Sequence, residues 1–582
     1  MRRGASQFSD DEAHHPAKPE PEDAETRREF LGRLGATVAV AAAAEAGGAP
    51  REAAAQTAAP DLLSQTPLTR NQLLRRRKEA YQLRISGARR MLQAPFEMPL
   101  SNGDEALYAN KIGSFSKTLP HNGLGEVDLG AYQQLVHACE TGIPEAFEQI
   151  PLGGTTKLKN PQAGLAFVME GGDSHQFSMP ATPTFASAEA AGELVELYWQ
   201  ALLRDVNFDQ YGSDLLALQA AADLSALSDF RGPKSGGVVT PDTLFRGPWA
   251  GNLGGPYVSQ FLYLPYRQGA MPISQAISTL ASGVDYLTSY TDWLDSQNGG
   301  PAPAKQVDPL PRYIRNGRDL AEWVHGDYPY LAGMIAALIC FGMGGQASDD
   351  PNDLLSTGAP VDASNPYLAL TRQCAFPTFG PPDILDLVAR VGVAALRAAW
   401  FQKWRVHRRL RPEEFGGRVH NHVTGATSYA IHADVLNAGG LAETFGRFGS
   451  YLLPQAYPEG SPAHTAYPSG HATFAGATIT VLKAVLDEEF VIPSPVQPAS
   501  DGLSLVPYSG PPLTIGGELN KLAFHIGMGR NFAGIHWRTD ASEGNRLGEA
   551  VAISLLKDLK LCYNEPFAGW TLTRFDGTTI TI

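Results

Sequence analysis

Cysteine is scarce in this chain of 582 residues, which has only Cys139, Cys340, Cys374 and Cys562. No pair has the C-x-x-C spacing typical of zinc sites and thiol redox centres, so a metal, if present, is expected to be held by other ligands. Long apolar runs are lacking too: AGMIAALICFGMGG, around Cys340, is too short to span a bilayer. We expect Cys340 to be a small buried hydrophobe.

Positive charge is in deficit. Lys and Arg number 46 against 60 Asp and Glu, for a formal net charge of -14. This balance argues against a nucleic acid or an anionic membrane as partner of the whole molecule. Clusters of basic residues are therefore expected to act locally, at individual sites. The length allows one large domain or several smaller ones, each with a substantial core.

The amino terminus differs from the rest. Residues 1 to 25 are polar and acidic, and TRREFL (residues 26–31) precedes a weakly apolar run from Gly35 to Ala44. This order is typical of a twin-arginine signal, which exports folded proteins across the bacterial inner membrane. A disordered acidic and alanine-rich leader is the alternative. We predict a leader over residues 1–59 and a mature protein that is periplasmic or secreted and not membrane-attached.

Beyond residue 60 the periodic signals are mainly helical, and strand signals are few, chiefly at Trp570 to Ile582. Loops rich in Gly and Pro are predicted at 232–241, 298–311 and 493–512. The sequence therefore predicts an all-α fold, with residues 60–582 as a single helical domain. Apolar stripes at helical spacing run through Leu194, Leu197, Tyr198, Ala201 and Leu202, through Ile384, Leu387, Val388, Val391 and Ala395, and through Phe474, Thr478, Val481, Leu482 and Val485.

Three short segments in the last third carry the chemistry. The first is KWRVHRRLRP (residues 403–412), predicted as the end of a helix that starts near Pro382 and stops at Pro412. Lys403 and Arg411 are about 80° apart on an ideal helix and so could enter one cleft, while the other cations face solvent or acidic neighbours. Alone, this segment fits a solvated basic face.

The second segment is YPSGH (residues 467–471), which precedes an apolar helical stripe. Ser469 and Gly470 are thus predicted at a helix start, where free backbone N–H groups bind anions. Ser469 adds a hydroxyl and His471 a proton carrier. A simple Ser N-cap with an incidental histidine is the alternative.

The third segment is RNFAGIHWRTD (residues 530–540). Arg530 and His536 are about 240° apart on an ideal helix, so they converge only if the chain bends, and Gly534 is the expected break. Asp540 could then orient His536 by a hydrogen bond. A surface helix with an Arg and a His is the alternative for this segment alone. The three segments supply complementary parts of one tetrahedral oxyanion site, and together they favour that site.

At these residues the chain resembles the vanadium-dependent haloperoxidases, most closely the algal-type bromoperoxidases, within the acid phosphatase superfamily. The likeness extends over roughly residues 74–582 and includes RDVNFDQYGSD, FRGPWAGNLGGPYVSQFL, RYIRNGRDLAEWVH, WFQKWRVHRRLRPEEFGGRVH and EGSPAHTAYPSGHATFAGA. It implies a vanadate cofactor, with hydrogen peroxide, bromide or iodide, and small organic acceptors as reactants. Relatives form dimers or larger shells, so a homo-oligomer is expected.

The resemblance also implies individual roles. His536 would be the axial ligand of vanadium, and His471 the acid–base residue. Lys403 would polarise the oxidant, and His464 matches a second histidine of the bromide-oxidising members. The residues implied to hydrogen-bond the vanadate oxygens are Lys403, Arg411, Ser469, Gly470 and Arg530.

Two other functions stay open from the sequence. A phosphatase of the same superfamily would use His536 as nucleophile and would be inhibited by vanadate. Its usual pattern has six residues between the lysine and the Arg-Pro pair, whereas seven stand here, and Gly529 replaces its usual serine. A non-catalytic oxyanion-binding protein would need the cations but not His471.

Overall fold

The computed structural model describes residues 68–345 and 353–582. The predicted leader (1–59), with its twin arginines, lies outside the described residues. The chain divides between Arg77 and Lys78 into two units. The hydrophobic cores and the candidate site all lie in the larger unit.

Helices dominate this structure, which confirms the predicted fold class. The α-helices are α1 (Arg70–Gln93), α2 (Asp104–Leu107), α3 (Leu129–Thr141), α4 (Pro144–Phe147), α5 (Ala188–Leu202), α6 (Leu215–Ala226), α7 (Tyr290–Gln297), α8 (Gly317–Trp323), α9 (Leu331–Phe341), α10 (Pro381–Phe401), α11 (Pro412–Val423), α12 (Ala433–Leu436), α13 (Gly439–Phe448), α14 (Gly470–Val485), α15 (Ile515–Phe532) and α16 (Arg538–Leu559). No helix in the described ranges is long and apolar enough to cross a membrane.

In the described part of the chain, strands occur as three short antiparallel hairpins. Their strands are β1 (Tyr266–Gln268) with β2 (Met271–Ile273), β3 (Val496–Pro498) with β4 (Leu505–Pro507), and β5 (Thr571–Thr573) with β6 (Thr579–Thr581). The last hairpin lies where the strand signal was expected. The second lies inside the predicted loop 493–512, so that prediction was incomplete, because three-residue strands are too short to show alternation.

The core is built around α14, which is buried over almost its whole length between α10, α15 and α16. Small residues permit this close approach: a Cβ on Gly476 would lie 2.3 Å from the carbonyl oxygen of Asn545 in α16. The Asn545 amide also donates to the carbonyls of Ala472 in α14 and Ala523 in α15, at 2.9 and 3.0 Å. Polar and steric contacts therefore fix the three helices to one another at the level of the site.

A second, smaller core surrounds α3. Phe115, Leu119, Tyr132 and Leu135 pack there around the fully buried Trp404. Cys340 is buried in α9, as expected. The four cysteines are free thiols, and Cys374 and Cys562 are exposed.

Candidate active site

The first cationic segment lies where α10 changes its pitch. After Phe401 the chain makes a π-helical stretch, Gln402–His407, and Arg408 then takes a positive φ of 37°. Pro412 begins α11 instead of stopping α10, so the predicted single helix through residue 411 was wrong. Proline favours a first helical turn because its missing N–H is not needed there.

The side chains of Lys403 and Arg411 nevertheless lie close together, although the backbone between them is not the regular helix that was expected. Lys403 lies in the π-helical stretch, and its Nζ donates to the carbonyls of Thr465 and Ala466 at 2.6 and 2.7 Å. Arg411 is the N-cap residue of α11, and its Nε donates to the carbonyl of His464 at 2.8 Å. Both cations therefore bind the 464–466 segment, which leads directly into the YPSGH motif.

The second segment forms the start of α14, as predicted. Ser469 is the N-cap, and its Oγ accepts a hydrogen bond from the backbone N–H of Ala472. The hydroxyl proton stays available to an acceptor, and the first-turn amides of Gly470 and His471 have no intrahelical partner. A Cβ on Gly470 would lie 3.0 Å from the Trp400 ring, so this glycine lets the helix start close to α10.

The third segment contains the expected bend. Helix α15 ends at Phe532, Gly534 takes a φ of 86°, and α16 begins at Arg538. His536 thus lies in the corner between two helices. Its Nδ1 is 2.7 Å from Oδ2 of Asp540, which confirms the predicted orienting contact.

The protonation of His536 follows from its two contacts. Arg411 Nη1, which can only donate, lies 2.9 Å from His536 Nε2, so Nε2 accepts and Nδ1 carries the proton donated to Asp540. Burial, with Arg411 and Lys403 nearby, holds the pKa of His536 well below its usual value. The ring is neutral, with the Nε2 lone pair on the side of the cations.

Asp540 is itself held on both sides. Its Oδ1 accepts from Arg409 Nη1 at 2.9 Å, and its Oδ2 also accepts from the backbone N–H of Trp537 at 3.1 Å. Burial raises the pKa of Asp540, and the Arg409 ion pair opposes that rise. Arg409 also bonds Glu193. Arg409 is therefore committed to carboxylates, as the sequence prediction for the remaining cations required.

Two other members of the basic cluster, Arg408 and His407, have different surroundings. Arg408 pairs with Glu105, an acidic neighbour as predicted. His407 instead packs in the interior against the Tyr467 ring, with no hydrogen-bond partner for either ring nitrogen in the described part of the chain. Its predicted exposed or paired position was wrong, and burial lowers its pKa to about 3.

Lys403, Arg411 and Arg530 form a buried group of positive charge. They are 0, 0 and 5% exposed. Their side-chain hydrogen bonds within 68–345 and 353–582 go to carbonyl oxygens and imidazoles, and none goes directly to a carboxylate. Burial, together with the neighbouring arginines, lowers the pKa of Lys403 well below its usual value. Burial of charge without a counter-ion is costly, and a bound anion would offset that cost and favour the charged form of Lys403, so the arrangement is suited to an anion.

His464 and His471 have different hydrogen-bond partners at this cation group. Arg411 Nη2 is 2.9 Å from His464 Nδ1, so one guanidinium contacts both His464 and His536. His471 Nε2 is 2.8 Å from Oδ1 of Asp327. Burial and Arg530 lower the pKa of His471, and Asp327 acts in the opposite direction.

Asp327 is a residue that the sequence reasoning missed. It is 1% exposed in its ion pair with His471, and its Oδ2 has no hydrogen-bond partner in the described residues. It lies two residues beyond RYIRNGRDLAEWVH, one of the segments that carried the family resemblance. Nothing in the local pattern distinguishes it, because its partner is 144 residues away.

The residues present fit vanadate. Arg530 Nε is buried without a partner among the described residues, which is a free donor at the cation group. The hydroxyl of Ser469 and the first amides of α14 add neutral donors, and His536 adds an imidazole lone pair, which is a suitable metal ligand. These residues thus combine positive charge, which would bind the oxygens of an oxyanion, with one imidazole nitrogen, which would bind its metal.

Comparisons with known proteins agree with this chemistry. A model of the VCPO second helical-bundle domain matches residues 387–565, which include all eight predicted site residues. The chain is 34% identical over 536 residues to a vanadium-dependent bromoperoxidase of Ascophyllum nodosum, covering 87% of this chain and 93% of that relative. It is 33% identical over 603 residues to the enzyme of the same name from Corallina officinalis, covering 87% and 98%.

A solved structure has the same fold. It is the homohexameric structure of the second vanadate-dependent bromoperoxidase from Ascophyllum nodosum, with a TM-score of 0.81 and 30% identity. The match covers 93% of this chain and 95% of that one. The chain therefore belongs to the vanadium-dependent bromoperoxidase family.

Proposed function

We propose that this protein is a vanadate-dependent peroxidase that uses hydrogen peroxide to oxidise bromide, and also iodide, to hypohalous acid, which then halogenates organic acceptors. The observation that carries the proposal is the group of three buried cations, Lys403, Arg411 and Arg530, without a direct carboxylate counter-ion in the described chain. Bound vanadate supplies a pentavalent Lewis acid that activates peroxide toward the halide.

In this proposal each residue of the site has one task. His536 holds the metal through Nε2, and Asp540 fixes the required tautomer. The oxygens of the oxyanion are held by Lys403, Arg411, Ser469, Gly470 and Arg530.

Proton transfer falls to His471. A neutral imidazole is needed to accept a proton from incoming hydrogen peroxide, and burial with Arg530 favours that neutral form. Asp327 orients the ring and stabilises its protonated state once the proton has arrived. His464 shares Arg411 with the metal ligand, and we propose that it lies beside the halide and sets the preference for bromide and iodide.

The protein is further proposed to work as an exported homo-oligomer. The solved relative is a homohexamer, which supports self-association of this chain. The twin-arginine pattern at residues 26–31 supports a periplasmic or secreted location without membrane attachment. Small molecules are the proposed partners, and nucleic acid is not among them.

A reconstitution assay tests the function. Protein stripped of anions by dialysis should brominate phenol red in the presence of peroxide and bromide only after orthovanadate is added. The alternative, a phosphatase of the same superfamily, would instead give turnover of a phosphate ester that vanadate inhibits. Phosphate-ester turnover without vanadate-dependent bromination would refute the proposal.

The His471→Ala variant separates catalysis from binding. It should lose turnover while orthovanadate binding, measured by equilibrium dialysis, stays close to that of the wild type. A variant that keeps full turnover would remove His471 from the proton-transfer role.

A further inference from the structure

A cleft of about 470 Å³ opens beside the site, on the outer side of α10. Its lining has an apolar part, here called the floor, and a cationic part, here called the rim; Asn160 completes it. The floor residues are Leu158, Ala163, Val393, Leu396 and Trp400, and the rim residues are Lys157, Lys159 and Arg397. The rim cations have no ion pair with a carboxylate among the described residues. The cleft thus combines an apolar, partly aromatic surface with unpaired positive charge.

Trp400 separates the cleft from the active site. Its ring centroid is 4.9 Å from that of His464, and Lys403 Nζ lies 5.8 Å from the Trp400 ring. Leu396 and Trp400 also flank Gly470, at 3.4 and 3.0 Å from where its Cβ would be. A molecule bound on the cleft floor is therefore one side chain away from the predicted site of hypohalous acid formation.

The loop that forms the rim is fixed to both sides of the site. Trp400 Nε1 donates to the carbonyl of Lys159 at 2.9 Å, and the backbone N–H of Lys159 donates to the carbonyl of Ala463 at 2.9 Å. The position of Lys159 is thus coupled to Trp400 on one side and to the segment before His464 on the other. The cleft is a built feature of the scaffold that surrounds the site.

We propose that this cleft binds the organic acceptor and selects aromatic acceptors that carry a carboxylate. The inference rests on the proposed function and adds the substrate class. The apolar floor is suited to an aromatic ring, and the cations of the rim are placed to pair with the acceptor's carboxylate. The volume is far larger than a halide ion needs, and a halide has no use for the apolar floor.

The reaction in the cleft is an electrophilic substitution. The ring of the phenol donates an electron pair to the bromine of hypobromous acid, so a C–Br bond forms as the O–Br bond breaks. The hydroxide released takes up the ring proton and leaves as water. The oxidant is the hypobromous acid that the proposed activity supplies, and no further reagent is needed.

A competition between two phenols tests the selection. An equal mixture of 4-hydroxyphenylacetate, which is anionic, and 4-(2-hydroxyethyl)phenol, which is neutral, is given to the vanadate-loaded enzyme with limiting peroxide and bromide. The product ratio is compared with that from added hypobromous acid without enzyme. We expect the enzyme to favour the anionic phenol by about fivefold over this reference, as for a carboxylate with two or three exposed cations.

Charge reversal at the rim gives the matched variants. The double variant Lys157→Glu/Arg397→Glu should return the product ratio to the reference or below it. The control, Lys234→Glu, changes an exposed lysine in the 232–241 loop, outside the cleft lining, and should keep the wild-type ratio. Formation of tribromide at high bromide, without any phenol, should be equal in all three proteins, which shows that halide oxidation is intact.

A binding measurement does not depend on turnover. Saturation-transfer NMR should detect 4-hydroxyphenylacetate on the wild-type protein without peroxide, and a weaker signal on the double variant. Equal product ratios for enzyme and reagent would overturn the proposal, because the oxidant would then react only in solution. A change in the KM for bromide alone would also overturn it, by making the rim a route for halide. Loss of tribromide formation in the wild type would instead refute the proposed function.

Discussion

The substitution Asp540→Asn is a sharp test of the site, because it removes one charge with almost no change in shape. Asp540 accepts from His536 Nδ1, from Arg409 Nη1 and from the backbone of Trp537. An amide has one oxygen and one nitrogen, so it cannot accept from both side chains at once. Either orientation of the amide therefore breaks one contact.

The two orientations have different consequences. If the amide oxygen accepts from Arg409, its nitrogen donates to His536 Nδ1, and the ring proton moves to Nε2. That proton would face Arg411 Nη1, another donor, and the lone pair proposed as the metal ligand would be lost. If the oxygen accepts from His536, the amide nitrogen faces Arg409, and two buried donors oppose each other.

The magnitude follows from the burial of the group. Breaking one side of a buried ion pair costs about 3 to 5 kcal/mol of unfolding free energy. Loss of the group that orients a metal-ligating histidine weakens affinity by about 10- to 100-fold. We therefore expect Asp540→Asn to be less stable in urea denaturation and to bind orthovanadate 10- to 100-fold more weakly by equilibrium dialysis, both measured on the anion-free protein.

Asp327→Asn is the matched control, since Asp327 is also a buried carboxylate paired with a histidine of the site. It contacts His471 and not His536, so vanadate affinity should stay within about twofold of the wild type. A folded Asp540→Asn protein with wild-type affinity for orthovanadate would refute the tautomer argument.

Three further predictions concern pH, backbone strain and ligand-linked stability. Asp327 raises the pKa of His471, so the Asp327→Asn substitution should lower that pKa. The acidic limb of the kcat/KM profile for hydrogen peroxide should then shift to lower pH, and a shift to higher pH would contradict this prediction. Gly534→Ala should destabilise the protein in urea more than Gly425→Ala. Both glycines have a positive φ, but of the two only a Cβ at 534 would meet other atoms, at 2.7 Å from Gln455 Nε2. Equal losses of unfolding free energy in the two variants would show that this contact relaxes. Orthovanadate at 100 times its Kd should add about 2.7 kcal/mol to the unfolding free energy of the anion-free protein, which is measured as a higher Tm. The His536→Ala variant should show a smaller increase in Tm. An unchanged Tm in the wild type would contradict a buried anion site.

Much of the fold could be predicted because its signals are local. Apolar stripes at helical spacing predicted α5, α10 and α14, and each helix is where the pattern placed it. The β3–β4 hairpin was not predicted, because its strands have three residues each and are too short to show an alternating pattern. The domain partition, with residues 60–582 as one domain, stays a prediction.

The site could be assembled from complementary chemistry even though one local geometry was wrong. Lys403 and Arg411 were placed on a regular helix, whereas a π-helical stretch and a second helix bring them together. The change of pitch depends on packing against distant segments, so no spacing rule within 403–412 could show it. The bend at Gly534 was predictable, because glycine is the residue that tolerates positive φ.

The π-helical stretch has a consequence for how the protein responds to mutation far from the site. Adjacent residues there serve different ends: Lys403 extends to the carbonyls beside His464, whereas Trp404 is anchored in the smaller core with Phe115 and Leu119. Because the two residues are adjacent, the packing of the smaller core around Trp404 affects the position of the Lys403 side chain. A substitution that loosens the packing around Trp404 is therefore expected to displace Lys403 and to weaken anion binding, even though the substituted residue lies in the smaller core.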